Sequence, residues 1–166
     1  MHLGLAILSV MTAFKWADWK HWKKYHPTML FMAVGAFLYE YLTKDQTMWK
    51  FHPDFLYNHT VTVVVYAIAT MPLNIFLFLS RLPERGFWKK SLHVAIWTAI
   101  YSLTEWAMVH TGRISYQNNW SLLYSILFDL MMFPMMILHH RRPVTAYLFS
   151  IVIVCCLLHA FEVELE

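Results

Sequence analysis

The chain has 166 residues, of which 59% are hydrophobic and only 14% are charged, and its formal net charge is +3. Soluble domains usually contain about 25% charged residues, and their helices alternate apolar with polar faces, whereas the apolar runs here are continuous. The composition therefore excludes an ordinary soluble domain. With only 4 Gly in the chain, no Gly-rich loop is present that could bind nucleotide phosphates.

Six apolar segments follow one another along the chain. A helix needs about 20 apolar residues to cross a bilayer, and a barrel would need alternating apolar and polar positions instead of solid runs. We therefore predict an all-α fold, a polytopic transmembrane helix bundle with six spans in a single domain of residues 1–166. The first two segments are short, so they should extend into their aromatic flanks or cross a thinned bilayer. The spans are predicted at residues 3–16, 28–42, 60–79, 92–110, 120–138 and 144–161.

The basic residues are distributed unevenly between the connections. Of the 13 Lys and Arg residues, ten follow the first, third and fifth spans, and the other three follow the second and fourth. Cytoplasmic loops carry such an excess of Lys and Arg. The pattern predicts a multi-pass protein of the cell membrane with both termini on the non-cytoplasmic side. The ten residues are Lys15, Lys20, Lys23, Lys24, Arg81, Arg85, Lys89, Lys90, Arg141 and Arg142.

Trp16, Trp19 and Trp22 recur among lysines after the first span. Tryptophans at this position typically anchor a protein at the level of the lipid headgroups; an amphipathic helix that binds lipid or a protein partner is the alternative. The expected partner of this basic segment is the lipid bilayer, and no nucleic acid is expected. The adjacent Cys155 and Cys156 lie in an apolar run and are interpreted as packing residues, because neighbouring cysteines rarely form a disulfide.

Three carboxylates lie within predicted spans: Glu40, Glu105 and Asp129. A charge inside a bilayer costs about 2.5–3.5 kcal/mol on insertion scales, so each is a candidate functional residue. Polar residues recur every four positions in three spans, which places them on one helix face, and we expect these faces to meet inside the bundle. Alternatively, the hydroxyl and amide groups only hold the helices together. The three stripes are Thr62, Tyr66, Thr70 and Asn74 after His59; Tyr101 and Glu105 after His93 and Trp97; and Ser121, Ser125 and Asp129.

Histidines gather toward the predicted outer side. They could form a proton-responsive or metal-binding pocket with nearby carboxylates, but no HExxH or Cys-x-x-Cys motif is present, and no metal site is predicted. The spacing of Cys155, His159 and Glu162 is interpreted as an ordinary helix end. The outer group comprises His52, His59, His110 and His159 with Glu40, Asp54, Glu105 and Glu162.

Several local motifs together resemble an uncharacterised family of small multi-span membrane proteins of spore-forming bacteria. The resemblance covers nearly the whole chain and implies a membrane protein, but it implies no activity. The motifs are Lys15-Trp16-Ala17-Asp18-Trp19-Lys20, Tyr25-His26-Pro27-Thr28, Asn58-His59-Thr60, Ile114-Ser115-Tyr116 and Arg141-Arg142-Pro143.

The sequence leaves three functions open. The first is a proton-linked transporter or carrier of a small molecule, the second a membrane enzyme or binding protein for a lipid or amphipathic ligand, and the third a sensor or partner subunit. No residue set specifies a reaction or a cofactor, and a homo-oligomer is compatible with each hypothesis. We expect a polar cavity open to the outer side and lined by Glu40, His59, Tyr101 and Glu105. The candidate ligand- or proton-binding residues are Glu40, His59, Tyr66, Tyr101, Glu105 and Asp129.

Overall fold

The computed structural model describes residues 1–52 and 58–163. Six long helices dominate it, close to the six predicted segments. The second helix begins six residues before its predicted start and includes Pro27, so it does extend into its basic aromatic flank. The first remains only 15 residues long. The helices are α1 (His2–Trp16), α2 (Trp22–Leu42), α3 (His59–Ser80), α4 (Phe87–His110), α5 (Leu122–Arg141) and α6 (Pro143–Ala160).

Consecutive helices run in opposite directions: His93 near the start of α4 contacts Phe78 near the end of α3, and Glu105 near the end of α4 contacts Ser125 near the start of α5. Helices α1 and α3 accordingly run in the same direction. His2, at the start of α1, contacts Tyr66 in the first half of α3, whereas Trp16, at the end of α1, accepts a hydrogen bond from Arg81 just after α3. The bundle therefore has two distinct ends. We call the end with His2 the lid end, and the end with the α1–α2, α3–α4 and α5–α6 connections the basic end.

Two short strands cover the lid end. Strand β1 (Trp49–Phe51) pairs in antiparallel fashion with β2 (Ile114–Tyr116), so that Trp49 lies opposite Tyr116. Side chains alternate across a strand: Trp49 and Phe51 contact the bundle, while Lys50 is exposed. The prediction of an exclusively α-helical fold missed this pair. We call β1 and β2 the lid.

The core is built around α3. Its Ile75, Phe76 and Phe78 side chains are fully buried. Phe78 packs on Phe133 of α5 at a ring-centroid distance of 4.8 Å, and Phe76 packs on Tyr25 of α2 at 5.4 Å. The central position of α3 explains why its polar stripe faces other helices and not the surroundings.

A π-helical segment, Tyr66–Thr70, interrupts α3. Pro72 lies two residues after it, and proline has no N–H to donate to the carbonyl group four residues earlier. The helix therefore widens within the segment, just before the proline. Such π-bulges are frequent at functional sites.

Three of the helices, α3, α5 and α6, are long and apolar enough to cross a membrane. Helix α1 is apolar but short, and α2 and α4 are less apolar because they carry Glu40 and Glu105 among several aromatic and basic residues. Large apolar side chains nevertheless cover the outside of all six helices. Water would disfavour such a surface, and lipid chains would not.

Candidate functional site

Glu105 of α4 is the centre of a hydrogen-bonded group beneath the lid. Its Oε1 atom accepts hydrogen bonds from the Tyr116 hydroxyl at 2.8 Å, the Ser125 hydroxyl at 2.5 Å and the Trp49 indole N–H at 3.1 Å. The Ser125 oxygen in turn accepts from the Trp120 indole N–H at 2.9 Å. One carboxylate oxygen thus connects both lid strands to α5.

The Trp49 ring fills the space above this carboxylate. It packs against Tyr39 of α2 at 5.0 Å, Trp120 at 4.6 Å and Phe128 of α5 at 6.2 Å, measured between ring centroids. The Tyr39 hydroxyl accepts the backbone N–H of Trp49 at 3.2 Å. Trp49 therefore closes the lid end between α2 and α5 by both packing and hydrogen bonding.

A second polar group lies deeper in the bundle. Asp129 is buried on α5 one turn below Ser125, and neither an ion pair nor a hydrogen bond to a described residue compensates its carboxyl. Both Glu105 and the Tyr101 hydroxyl are close enough to Asp129 to interact with it electrostatically. A carboxyl in such surroundings needs a proton or a cation to be accommodated.

Some buried hydroxyl groups inside the bundle lack a hydrogen-bond partner among the described residues. The Tyr101 hydroxyl is buried without a hydrogen bond of good geometry, and Asn74 of α3 is the side chain within its reach. The Thr70 hydroxyl, at the end of the π-helical segment, is likewise buried and unpaired among the described residues. Buried polar groups are normally hydrogen-bonded, so this region can accept water or a small ligand.

Glu40 and His59 form a separate pair, which lies nearer the protein surface than Asp129 does. The Nε2 atom of His59 lies 3.4 Å from Glu40 Oε2, and His59 Nδ1 accepts the backbone N–H of Phe51 at 3.3 Å. Because Nδ1 is an acceptor, the ring proton lies on Nε2 and points to the carboxylate. The pair therefore connects the lid to both α2 and α3.

Tyr66 belongs to a third group, which ties α1 to the lid. The fully buried His2 ring places Nε2 3.1 Å from the His52 carbonyl oxygen and Nδ1 3.2 Å from the Tyr66 hydroxyl. The Phe51 ring packs on both His2 and Tyr66, at 5.5 and 5.2 Å. His2 is thus held between the lid and the first half of α3.

The predicted outer cavity, lined by Glu40, His59, Tyr101 and Glu105, stays a prediction. His59 contacts Glu40 and Phe51, whereas Glu105 contacts Trp49, so an inward-facing lid residue lies beside each group. Two surface grooves lie elsewhere, one between α4 and α5 and one between α2 and α6.

The four histidines predicted on the outer side are not grouped together in the structure. His59 contacts Glu40, but His52 lies against the Ser115 hydroxyl at 2.9 Å. His110 is exposed and stacks on Trp106 of its own helix, and His159 is exposed at the end of α6. Asp54 lies outside the described residues. Within residues 1–52 and 58–163, no three His, Cys, Asp or Glu side chains are grouped for a metal ion.

Tyr116 is the member of the Glu105 group that lies on strand β2 of the lid. Burial, together with the hydrogen bond and negative charge of Glu105, raises the pKa of its hydroxyl above the ordinary tyrosine value. The hydroxyl therefore keeps its proton, and its bond to Glu105 persists to strongly alkaline pH.

Sequence reasoning missed Trp49 and Tyr116 as partners of Glu105, and Trp120 as the partner of Ser125. One signal was present: Trp49-Lys50-Phe51 and Ile114-Ser115-Tyr116 both alternate apolar and polar residues, which is typical of a strand with one buried face. The runs are only three residues long, so they are easily taken for connections between helices.

Comparisons with protein-family models, with curated protein sequences and with solved structures gave no significant match. The resemblance to small membrane proteins of spore-forming bacteria stays a prediction. The function is therefore inferred from the contacts beneath the lid.

Proposed function

We propose that the chain is a six-span protein of the cell membrane with both termini on the non-cytoplasmic side. Three observations support this placement. Apolar side chains cover all six helices, consecutive helices run in opposite directions, and ten of the 13 Lys and Arg residues lie in the connections or the adjoining helix ends at the basic end. The lid then faces the outside of the cell.

Cysteine labelling in intact cells tests the orientation. In a chain with Cys155 and Cys156 replaced by serine, Lys50→Cys in the lid is expected to react with a membrane-impermeant maleimide. Glu84→Cys, exposed at the basic end, is expected to react only after the cells are permeabilised. Labelling of Glu84→Cys from outside, with Lys50→Cys protected, would reverse the orientation.

We propose further that the protein is a proton-linked carrier of a small molecule, with Glu105 and Asp129 as its proton sites. The observation that carries this proposal is the pair of carboxyl groups on neighbouring helices, one bonded to the lid and the other buried without a cation. Hydroxyl groups of Ser125 and Tyr101 accompany them. Chains of carboxyl and hydroxyl groups inside a bundle are typical of proton pathways.

In this proposal the lid is the outer gate. Opening it would separate Trp49 and Tyr116 from Glu105, so the carboxyl would lose its hydrogen-bond donors and gain contact with outside water. Closing it would restore those donors and displace a proton toward Asp129. Protonation and gate position are therefore coupled through one oxygen atom. The unpaired hydroxyls of Tyr101 and Thr70 provide the polar surroundings for a substrate.

Infrared spectroscopy in lipid vesicles tests proton binding directly. The wild-type protein is expected to show a protonated-carboxyl C=O band whose intensity changes with pH. Asp129→Asn should remove most of this band and Glu105→Gln should change its pH dependence, whereas Glu84→Gln at the exposed basic end should leave it unchanged. A band unaffected by both interior substitutions would refute the proton sites.

Uptake into proteoliposomes then tests transport. A panel of radiolabelled metabolites is offered with and without an inward proton gradient, and at least one is expected to accumulate only with the gradient. Asp129→Asn should abolish that accumulation, and Glu84→Gln should not. Gradient-independent binding without accumulation would instead favour a binding protein or sensor.

A further inference from the structure

A groove of about 220 Å³ runs between α2 and α6 near the basic end. Its α2 wall follows the helical period, so these side chains form one continuous stripe on the outside of the bundle. Leu30 and Val34 are more than half exposed. The groove therefore opens to the surroundings of the bundle. It is lined by Pro27, Leu30, Phe31, Val34 and Tyr147.

Aromatic contacts make the inner wall of this groove rigid. The Phe31 ring stacks on His139 of α5 at 4.1 Å and meets Tyr147 edge-on at 5.4 Å. His139 is buried, and its Nδ1 atom lies 3.0 Å from the Thr28 hydroxyl. The groove is thus a fixed feature of the α2, α5 and α6 packing.

Three exposed cations lie close in sequence to the residues that line the groove. Lys24 lies one turn before Pro27 on α2, and Arg141 and Arg142 precede the first turn of α6. Both Lys24 and Arg141 are close enough to His140 to act on it electrostatically, and the His140 ring stacks on Tyr25 at 5.2 Å. Lys24 and Arg141 therefore lie near one another although they come from distant parts of the chain.

No described residue neutralises this cluster. Neither Lys24 nor Arg141 nor Arg142 forms an ion pair within residues 1–52 and 58–163, and all three are exposed. Asp18, the nearby acid in sequence, is bonded to His21 at 2.9 Å, which lowers the pKa of its carboxyl. The Asp18 carboxylate also accepts a hydrogen bond from the Tyr25 hydroxyl, and none of the three cations is paired with it.

We infer that this site binds an anionic phospholipid. The phosphate of the headgroup contacts Lys24, Arg141 and Arg142, and one acyl chain lies in the groove along Leu30, Phe31 and Val34. One helical turn, about 5 Å, separates Lys24 from Pro27, the first apolar residue of the groove. This spacing suits a lipid, in which the charged headgroup and the acyl chain are covalently joined. An anion without a chain would leave the groove empty, and an uncharged lipid would leave the cations unpaired.

Native mass spectrometry of the full chain in neutral detergent measures the binding. Phosphatidylglycerol is expected to bind more tightly than phosphatidylcholine with the same acyl chains, and soluble glycerol phosphate is expected not to compete. The combined Lys24→Gln, Arg141→Gln and Arg142→Gln variant should weaken phosphatidylglycerol binding on the order of a hundred-fold, given the usual contribution of a basic residue near an anionic leaflet.

Two matched controls separate this site from general charge and general hydrophobicity. Neutralising Arg85, Lys89 and Lys90, at the same end but away from the groove, should leave binding unchanged. Val34→Trp should fill the groove and reduce binding, and Val152→Trp on the exposed face of α6 should not. Lys24→Gln alone provides a milder variant if the triple variant unfolds.

Three outcomes would overturn the inference. They are equal binding of the two lipids, an equal loss in the control triple variant, and effective competition by glycerol phosphate, which would indicate a simple anion site. The inference is independent of the proton sites, because binding is measured in detergent without a gradient and Asp129→Asn should bind the lipid normally.

Discussion

Replacing Trp49 by alanine is expected to destabilise the protein by at most about 3–5 kcal/mol, the usual effect of removing a large aromatic side chain from a core, because Trp49 is only partly buried. The ring packs against Tyr39 of α2, Phe128 of α5 and Trp120, which lies in the connection between α4 and α5. Its N–H also lies 3.1 Å from Glu105. The substitution therefore removes packing and a hydrogen-bond donor together, and it leaves a cavity beneath the lid.

Thermal unfolding in detergent, followed by circular dichroism, measures this effect. Trp88→Ala is the matched control, because Trp88 is 81% exposed at the basic end, and its loss should change stability little. Trp49→Phe keeps most of the packing and loses only the N–H, so it should lie between the two. Equal stability of Trp49→Ala and Trp88→Ala would show that the lid does not close the bundle.

Glu105→Leu is expected to have the second-largest effect. Leucine has a similar size but no acceptor, so the Tyr116 and Ser125 hydroxyls would lose their acceptor, and the Trp49 N–H would keep only its longer bond of 3.3 Å to the Ser125 oxygen. Leaving a buried donor unpaired costs about 1–3 kcal/mol. Because Glu105 is only partly buried and water can replace some of these bonds, we expect a total loss of about 2–4 kcal/mol.

Glu105→Gln is the informative comparison. Its amide oxygen can still accept from the lid and α5, so most of the stability should remain while the proposed proton site is lost. A double-mutant cycle with Tyr116→Phe measures the bond between Glu105 and the lid, since the two losses should not be additive. If Glu105→Leu and Glu105→Gln are equally stable, the hydrogen bonds beneath the lid do not stabilise the fold.

The helices could be predicted from the sequence because their signals are local. Continuous apolar runs located all six helices, and the spacing of four residues placed Ser125 and Asp129 on one buried face of α5. The bounds moved by a few residues where aromatic and basic flanks joined a helix, as at Trp22. The uneven distribution of Lys and Arg between the two ends of the bundle was likewise readable from the sequence alone.

The contacts that make the candidate site depended on the tertiary structure. Trp49 and Ser125, which share Glu105, are 76 residues apart, and His2 reaches Tyr66 across 64 residues. No local pattern specifies such partners, since they are brought together only by the packing of the other helices around α3. The lid closes for the same reason: two three-residue strands are too short to be stable alone, and they pair because the helices bring Trp49 opposite Tyr116.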